Sequence, residues 1–591
     1  MPPKLKRAGE GDAGDDARKR PSISSATAKS VAIAAPGVVA SVKTGITTKS
    51  SATSKPGAVR GAPKPGIRKV GIATMTSRAR VGSTGSPLAK KEAPAPIVTK
   101  NVLMWFRNDL RVRDNKALHA ASLRAKMGDR RNVVGLYIIS ESEWTSHDDA
   151  PLKIDFWLRN LAALKIVLAE LNIPLVVKTA VAKTDVIGIV EAVVKDMDIS
   201  HVFWNADYLV DEMKRDNLVK SAITKHPGVY TEECQDQCIV SPREIKSKTG
   251  AAFTDFVAFH NAWCTLVETE PHFLKIVDAP QANAVEAKQF YADIFRASIS
   301  ALYPHSLDRE QMEQLYPAGE EAARNCLDEF IKHKIKDYHK LRDDLKDPGC
   351  SALDPYVSNG IISTRQCVTA ARAENGGKIF VGNAGIRAWI KDLAWKEFYK
   401  SIAFAFPKVC KYKPFEKITE NIRWSYDEHK FAMWCQGKTG YPIVDAGMRQ
   451  LNATGYMHHR VRIIAACFLA KDLMVHWQKG EKYFMHNLID GEFAPNNGGW
   501  QWCASTGAGA QPYYRIPSPL AQSQKFDPNG DYIRRWVPEL TGLSEKFIHD
   551  PYHTLSAKDF GKLSYPKPIV EHTEVVKKKF TEEFKRATGK A

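Results

Sequence analysis

Four short apolar runs follow residue 100: NVLMWF (101–106), NVVGLYIIS (132–140), IPLVVKTA (173–180) and HVFWNADY (201–208). Their β-branched and aromatic residues are those of strands. Between them the polarity repeats at a longer period. In LRNLAALKIVLAELN (158–172) apolar positions recur every three or four residues, which predicts a helix. Alternation of strand and helix predicts a parallel, doubly wound sheet. Residues 236–321 show no clean period and read as a connector. From 322 onward the pattern is helical, with aromatic-rich loops and little strand signal. No internal repeat is visible. The expected architecture is a tail (1–98), an α/β domain (99–235), the connector (236–321) and an all-α domain (322–591).

Residues 1–98 are rich in Ser, Ala, Thr, Gly, Pro, Lys and Arg and lack aromatics. Such a segment cannot bury enough apolar surface to offset its ordering entropy, so disorder is expected. The chain has 591 residues, enough for two or three domains, and a formal charge of +19. Residues 1–100 hold 19 Lys/Arg and 5 Asp/Glu, which leaves 66 basic and 61 acidic residues in the remainder. The body is therefore no generic polycation, and an anionic partner must be met by a local patch. No apolar run approaches about 18–20 residues, so no membrane span is expected. Ten scattered cysteines, with no secretory signal ahead of them, predict a reducing compartment and free thiols. Cys234 and Cys238, in ECQDQC, lack the further nearby ligands that a metal site needs.

The tail carries Lys6-Arg7, ten intervening residues, then Arg18-Lys19-Arg20. This spacing resembles a bipartite nuclear import signal, with the nucleus and an import receptor as its implications. Residues 55–91 are basic and acid-free, which also suits a mitochondrial presequence. The acids at 10–16 argue against one beginning at Met1.

There is no P-loop, GxSxG or HExxH. The distinctive stretch is LIDGEFAPNNGGWQWCASTGAGAQPYYR (488–515). Its glycines allow the backbone to approach a ligand. Asn496 can offer a donor and an acceptor to a heteroaromatic ring. Trp500 and Trp502 add large polarisable rings, and a packed aromatic core is the alternative reading of these residues alone. This stretch resembles the flavin-pocket signature of the photolyase/cryptochrome family, class I cyclobutane-dimer photolyases above all. So do WFRNDLR (105–111), DLAWKEFYK (392–400), WCQGKTGYPIVDAGMRQLNATGYMHHRVRI (434–463) and KFDPNGDYIRRWVPEL (525–540). The matches are collinear from residue 101 to about 575 and leave the tail outside.

The resemblance implies a helical domain holding a U-shaped FAD and an α/β domain holding an antenna pigment. It assigns Tyr338, Cys350, Ser351, Leu353, Asp354, Trp389, Asp392, Lys396, His459, Arg462, Asp490, Glu492 and Asn496 to the flavin. Asp211, Glu212, Cys410 and Lys411 match contacts of a folate antenna, methenyltetrahydrofolate. Trp424, Trp477 and Trp500 match an electron-relay chain. Arg342, Arg460 and Arg515 match phosphate contacts to damaged DNA, and Trp395 and Trp502 match rings that sandwich a flipped dimer. Asp392, His459, Trp395 and Asn496 would act in catalysis. A monomer is expected.

The sequence departs from the family pattern at several of these positions. Asp392 stands for the usual Glu, His459 for Asn and Ile463 for Met. Cys350-Ser351-Ala352-Leu353-Asp354 replaces a Thr-Ser-x-Leu-Ser phosphate cradle, and Asp354 would repel a diphosphate if it pointed inward. Lys396 and Glu492 replace Arg and Asp. The leading expectation is light-driven repair of cyclobutane pyrimidine dimers. A cryptochrome-like photoreceptor and a flavin-poor DNA-binding protein are the rival readings.

Overall fold

A computed structural model of the chain describes residues 100–127, 131–299, 303–346 and 349–589. The tail, with its two basic clusters, lies outside the described residues. Strands β1 (Asn101–Phe106), β2 (Val133–Ser140), β3 (Leu175–Ala180), β4 (Ile199–Asn205) and β5 (Tyr230–Cys234) form one parallel sheet. Their order is β3-β2-β1-β4-β5. Five consecutive residues of β1, Val102 to Phe106, are buried. A parallel strand covered on both faces reads as continuous apolar sequence. Helices α1 (Lys116–Lys126), α2 (Pro151–Glu170), α3 (Asp185–Asp196) and α4 (Val210–Ile223) supply the cover.

The fold corrects the expectation in three places. A fifth strand, YTEEC, escapes the apolar pattern because it lies at the sheet edge, with Tyr230 exposed. The helix expected at 158–172 already begins at Pro151, whose missing N–H suits a first helical turn. The connector contains a full helix, α5 (Phe256–Thr269), and several short ones. Its buried residues Phe256, Phe259, Trp263, Cys264 and Val267 keep helical spacing over one short window.

The remainder is helical. It includes α6 (Glu320–His333), α7 (Thr364–Glu374), α8 (Ala384–Ala405), α9 (Pro442–Thr454), α10 (His459–Cys467), α11 (Trp477–Asn487), α12 (Phe493–Ala504) and α13 (Glu574–Thr588). Asn383 caps α8 by accepting from the Gly385 and Ile386 amides. The α/β and helical parts share one core cluster, which runs from Phe106 of β1 to Trp389 of α8. Buried polar ties reinforce it. Arg365 of α7 pairs with both Asp114 and Asp236. Glu397 of α8 accepts from the Ile239 and Val240 amides and from the Trp263 indole. No helix among the described residues is long and apolar enough to cross a membrane.

Candidate functional site

Helices α8, α10, α11 and α12 enclose a cavity of about 210 Å³. Its lining joins apolar groups, Ile463, Ala466, Phe484, Leu488 and Trp500, to polar ones, Asp354, Lys396, Arg462, Asp490, Glu492 and Asn496. Residues 392, 396 and 400 follow one another at four-residue steps along α8, so their side chains share one stripe.

Two ion systems organise the polar wall. Arg462 donates from Nη2 to both Asp490 oxygens, at 3.1 and 2.8 Å, and from Nε to the Met457 carbonyl at 2.7 Å. Glu492 lies between two ammonium groups, with Lys396 Nζ at 3.0 Å and Lys400 Nζ at 2.8 Å. Burial pushes the Glu492 carboxyl up, but the two lysines outweigh it and hold it at about 2. Lys396 also donates to the Ser358 hydroxyl at 2.8 Å.

Asp354 does point into this cavity. Burial, with repulsion from Asp490, raises its pKa. The rest of the cradle does not line the cavity. Ser351 Oγ accepts from the Leu353 amide at 3.3 Å, and burial lifts the Cys350 thiol to about 12.

The two adjacent glycines of α12 do different things. A Cβ on Gly498 would lie 2.0 Å from the Tyr399 ring, so this glycine serves packing. A Cβ on Gly499, which lines the cavity, would meet no protein atom within 4 Å. The buried indole N–H of Trp500 has no hydrogen-bond partner. An amphipathic slot with a charged edge, an amide and a free donor suits a heteroaromatic ring bearing an anionic tail, so the residues fit FAD.

One turn outward lies a polar rim. Asp392 accepts from Tyr338 Oη at 2.8 Å and pairs with Arg342 Nη1 at 2.9 Å. Arg342 Nη2 reaches His459 Nε2 at 3.4 Å. Arg460 clamps Asp343 with Nε and Nη2 at 2.6 and 2.9 Å. Burial, together with Arg342 and Arg460, lowers the His459 pKa against the pull of Asp343. Two of the three arginines assigned to phosphate are thus already paired to carboxylates. The third, Arg515, is exposed, and its carbonyl accepts from Lys471.

Other assigned residues stand apart from the cavity. Trp395 stacks face to face on Phe256, with ring centroids 3.5 Å apart at 8°. Trp389 is buried against Phe330. Trp502 is half-buried against the core that holds Trp500. Of the relay trio, Trp500 lines the cavity and Trp477 is buried, while Trp424 is half-buried. His476 bridges the outer pair, its ring 5.4 Å from Trp424 and 6.0 Å from Trp477.

A larger cavity of about 350 Å³ opens where the carboxyl ends of the strands meet the helical part. Asn108 follows β1, His147 follows β2 and Asp207 to Glu212 follow β4. Open α/β sheets bind ligands at this edge, where the strand order reverses. All four residues matched to the antenna line it. Burial and the Asp207 carboxylate push Glu212 up to about 8.

Sequence reasoning missed Lys400, Ser358, Tyr399 and His476. Lys400 had a visible signal, a second lysine one turn after Lys396 on the stripe that Asp392 begins. Ser358 and His476 had none.

Two family models match the chain: one described as DNA photolyase over residues 102–281, the other as the FAD binding domain of DNA photolyase over residues 389–586. A deoxyribodipyrimidine photo-lyase of Neurospora crassa is 40% identical over 493 residues, covering 80% of each chain. One of Vibrio cholerae is 39% identical, covering 80% of this chain and 97% of its own. Among solved structures, a bacterial class III photolyase from Agrobacterium tumefaciens superposes with a TM-score of 0.72 at 30% identity. That match covers 84% of this chain and 99% of the other.

Proposed function

This chain belongs to the DNA photolyase family, and from that premise we propose that it repairs cyclobutane pyrimidine dimers in DNA, driven by light, with FAD as cofactor. The observation that carries the reading is the slot that Arg462–Asp490, Lys396–Glu492, Asn496 and Trp500 line together. Reduced FAD, when bound and excited, supplies the electron that opens the cyclobutane ring.

The residues of this chain bind, orient and polarise. Arg462 and Asp490 would hold the ring edge, Asn496 would offer its amide, and Lys396 would meet the diphosphate. Asp392, fixed by Tyr338 and Arg342, accepts from a pyrimidine N–H. His459 stays neutral near pH 7 and donates to a pyrimidine carbonyl, where negative charge develops. Arg515 presents an exposed planar guanidinium to phosphates, and Arg342 and Arg460, held by Asp392 and Asp343, offer the N–H groups that those carboxylates leave free. Photolyases act on bases taken out of the stack, and Trp395 and Trp502 offer faces to the extruded pair. Trp424, Trp477 and Trp500 relay electrons from the surface to the slot.

The larger cavity would hold a folate antenna against Asp211, Glu212, Cys410 and Lys411. The basic clusters of the tail would engage an import receptor and send the protein to the nucleus. The repair reading is tested by illuminating the reduced, flavin-loaded protein with two substrates, one carrying a cyclobutane dimer and one a (6-4) product. Loss of the first alone supports it, and loss of neither sinks it.

A further inference from the structure

Two buried thiols meet behind the wall of the slot. Cys503 lies on α12, three residues after Trp500, and lines the cavity. Cys467 ends α10, the helix whose Arg462, Ile463 and Ala466 line the same cavity. Both are free and essentially inaccessible to solvent. The Gln511 amide fastens the pair, donating to Cys467 Sγ at 3.2 Å and to the Cys503 carbonyl at 3.1 Å.

A third element faces them. Lys471 sits in the π-helical turn Phe468–Asp472 that continues α10, and it is fully buried. Its ammonium donates to the Arg515 carbonyl at 2.9 Å and interacts with both sulfurs. Contact with Cys503, aided by Lys471 and Gln511, holds the Cys467 thiol below its ordinary range despite burial. The Cys503 thiol is driven well above its own. Cys467 is thus the more acidic thiol and Cys503 the less acidic, the asymmetry that thiol–disulfide chemistry uses. The repair reaction as derived above uses neither.

We propose that Cys467 and Cys503 form a redox-active pair that reduces an oxidised flavin in the slot and closes to a disulfide. The two S–H bonds break and one S–S bond forms. Two electrons and one proton pass to the oxidised flavin, giving its anionic two-electron-reduced form, and the second proton leaves to solvent. The sulfurs must close to a bond of about 2 Å. This proposal rests on the flavin reading of the slot. It gives the protein a dark route to the reduced cofactor that repair requires, apart from the tryptophan relay.

The test uses the full chain loaded with oxidised FAD, kept dark and anaerobic without external reductant. The expected result is loss of the oxidised-flavin absorption with two thiols consumed per flavin. Peptide mass mapping should find a Cys467–Cys503 cross-link. Cys467→Ser and Cys503→Ser should each keep bound flavin oxidised and abolish the cross-link, whereas Cys435→Ser should change neither. Bound flavin that stays oxidised in the wild type, or bleaching without the cross-link, would overturn the proposal. A chain that retains no flavin would overturn the flavin reading and, with it, electron delivery. The pair is then judged on the apo chain with a diamide-type oxidant: the cross-link supports a redox-active pair, and its absence overturns that as well.

Discussion

Replacing Glu492 by Gln removes the carboxylate that separates two buried ammonium groups. The side chains of Glu492, Lys396 and Lys400 are each less than one-fifth exposed, so solvent screens them little. The Glu492 carboxyl is held at about 2 in the fold, against 4.5 ordinarily. A depressed carboxyl stabilises the fold above its unfolded pKa and loses that contribution as pH falls through the folded value. The difference of about 2.5 pH units corresponds to about 3 kcal/mol at pH 7, falling to about 1.4 kcal/mol at pH 3. With roughly 480 ordered residues, the unfolding entropy is about 1 kcal/mol per kelvin, so the melting midpoint should drop by about 3 °C at pH 7. Calorimetry of the flavin-free protein at pH 7 and pH 3 reads both values. The wild-type and E492Q midpoints should draw together as the buffer is acidified. An E492Q midpoint equal to wild type at pH 7, or a gap that does not shrink at pH 3, would refute the ion-cluster account.

Glu212 has the opposite sign. Its carboxyl is raised to about 8, so the proton favours the fold, and stability should decline as pH rises from about 4.5 through 8. Glu212→Gln should flatten that decline, worth on the order of 5 kcal/mol at its full extent, in denaturant titrations across the window. Trp395→Ala should weaken dark binding of dimer-bearing duplex by roughly 1–3 kcal/mol, tenfold for every 1.4 kcal/mol, as read by fluorescence anisotropy. Trp424→Phe should slow light-driven reduction of oxidised flavin, followed by absorption under illumination, because the outermost ring of the relay is lost. Gly499→Val should lower flavin retention through gel filtration, since its side chain would project into the slot, while the circular dichroism of the helices stays unchanged.

Much of this was legible along the chain. NVLMWF announced β1 because a doubly covered strand shows no alternation, and the four-residue steps of DLAWKEFYK aligned Asp392 with Lys396. What stayed hidden depended on long-range contact. β5 pairs on one side only, so its sequence needs little apolar content. α5 keeps its period for fourteen residues within a long aperiodic stretch. The stacking of Phe256 on Trp395 joins positions far apart in sequence, and no local pattern encodes it. The inward aim of Asp354 is set by the backbone at Ala352, which adopts φ +55° two residues earlier. The pairing of Arg342 and Arg460 with Asp392 and Asp343 was likewise invisible, since an arginine that awaits a phosphate and one already bound to a carboxylate read alike.

The most direct measurement is single-turnover repair. Fully reduced, flavin-loaded protein is bound to a duplex carrying one cyclobutane dimer, sealed from oxygen and external donors, and given a train of light flashes. The account predicts that dimers are converted to intact pyrimidines while the flavin spectrum after the train is that of the reduced form, since the electron is returned. Dimers that persist, or that disappear only as flavin is oxidised in equal amount, would contradict it.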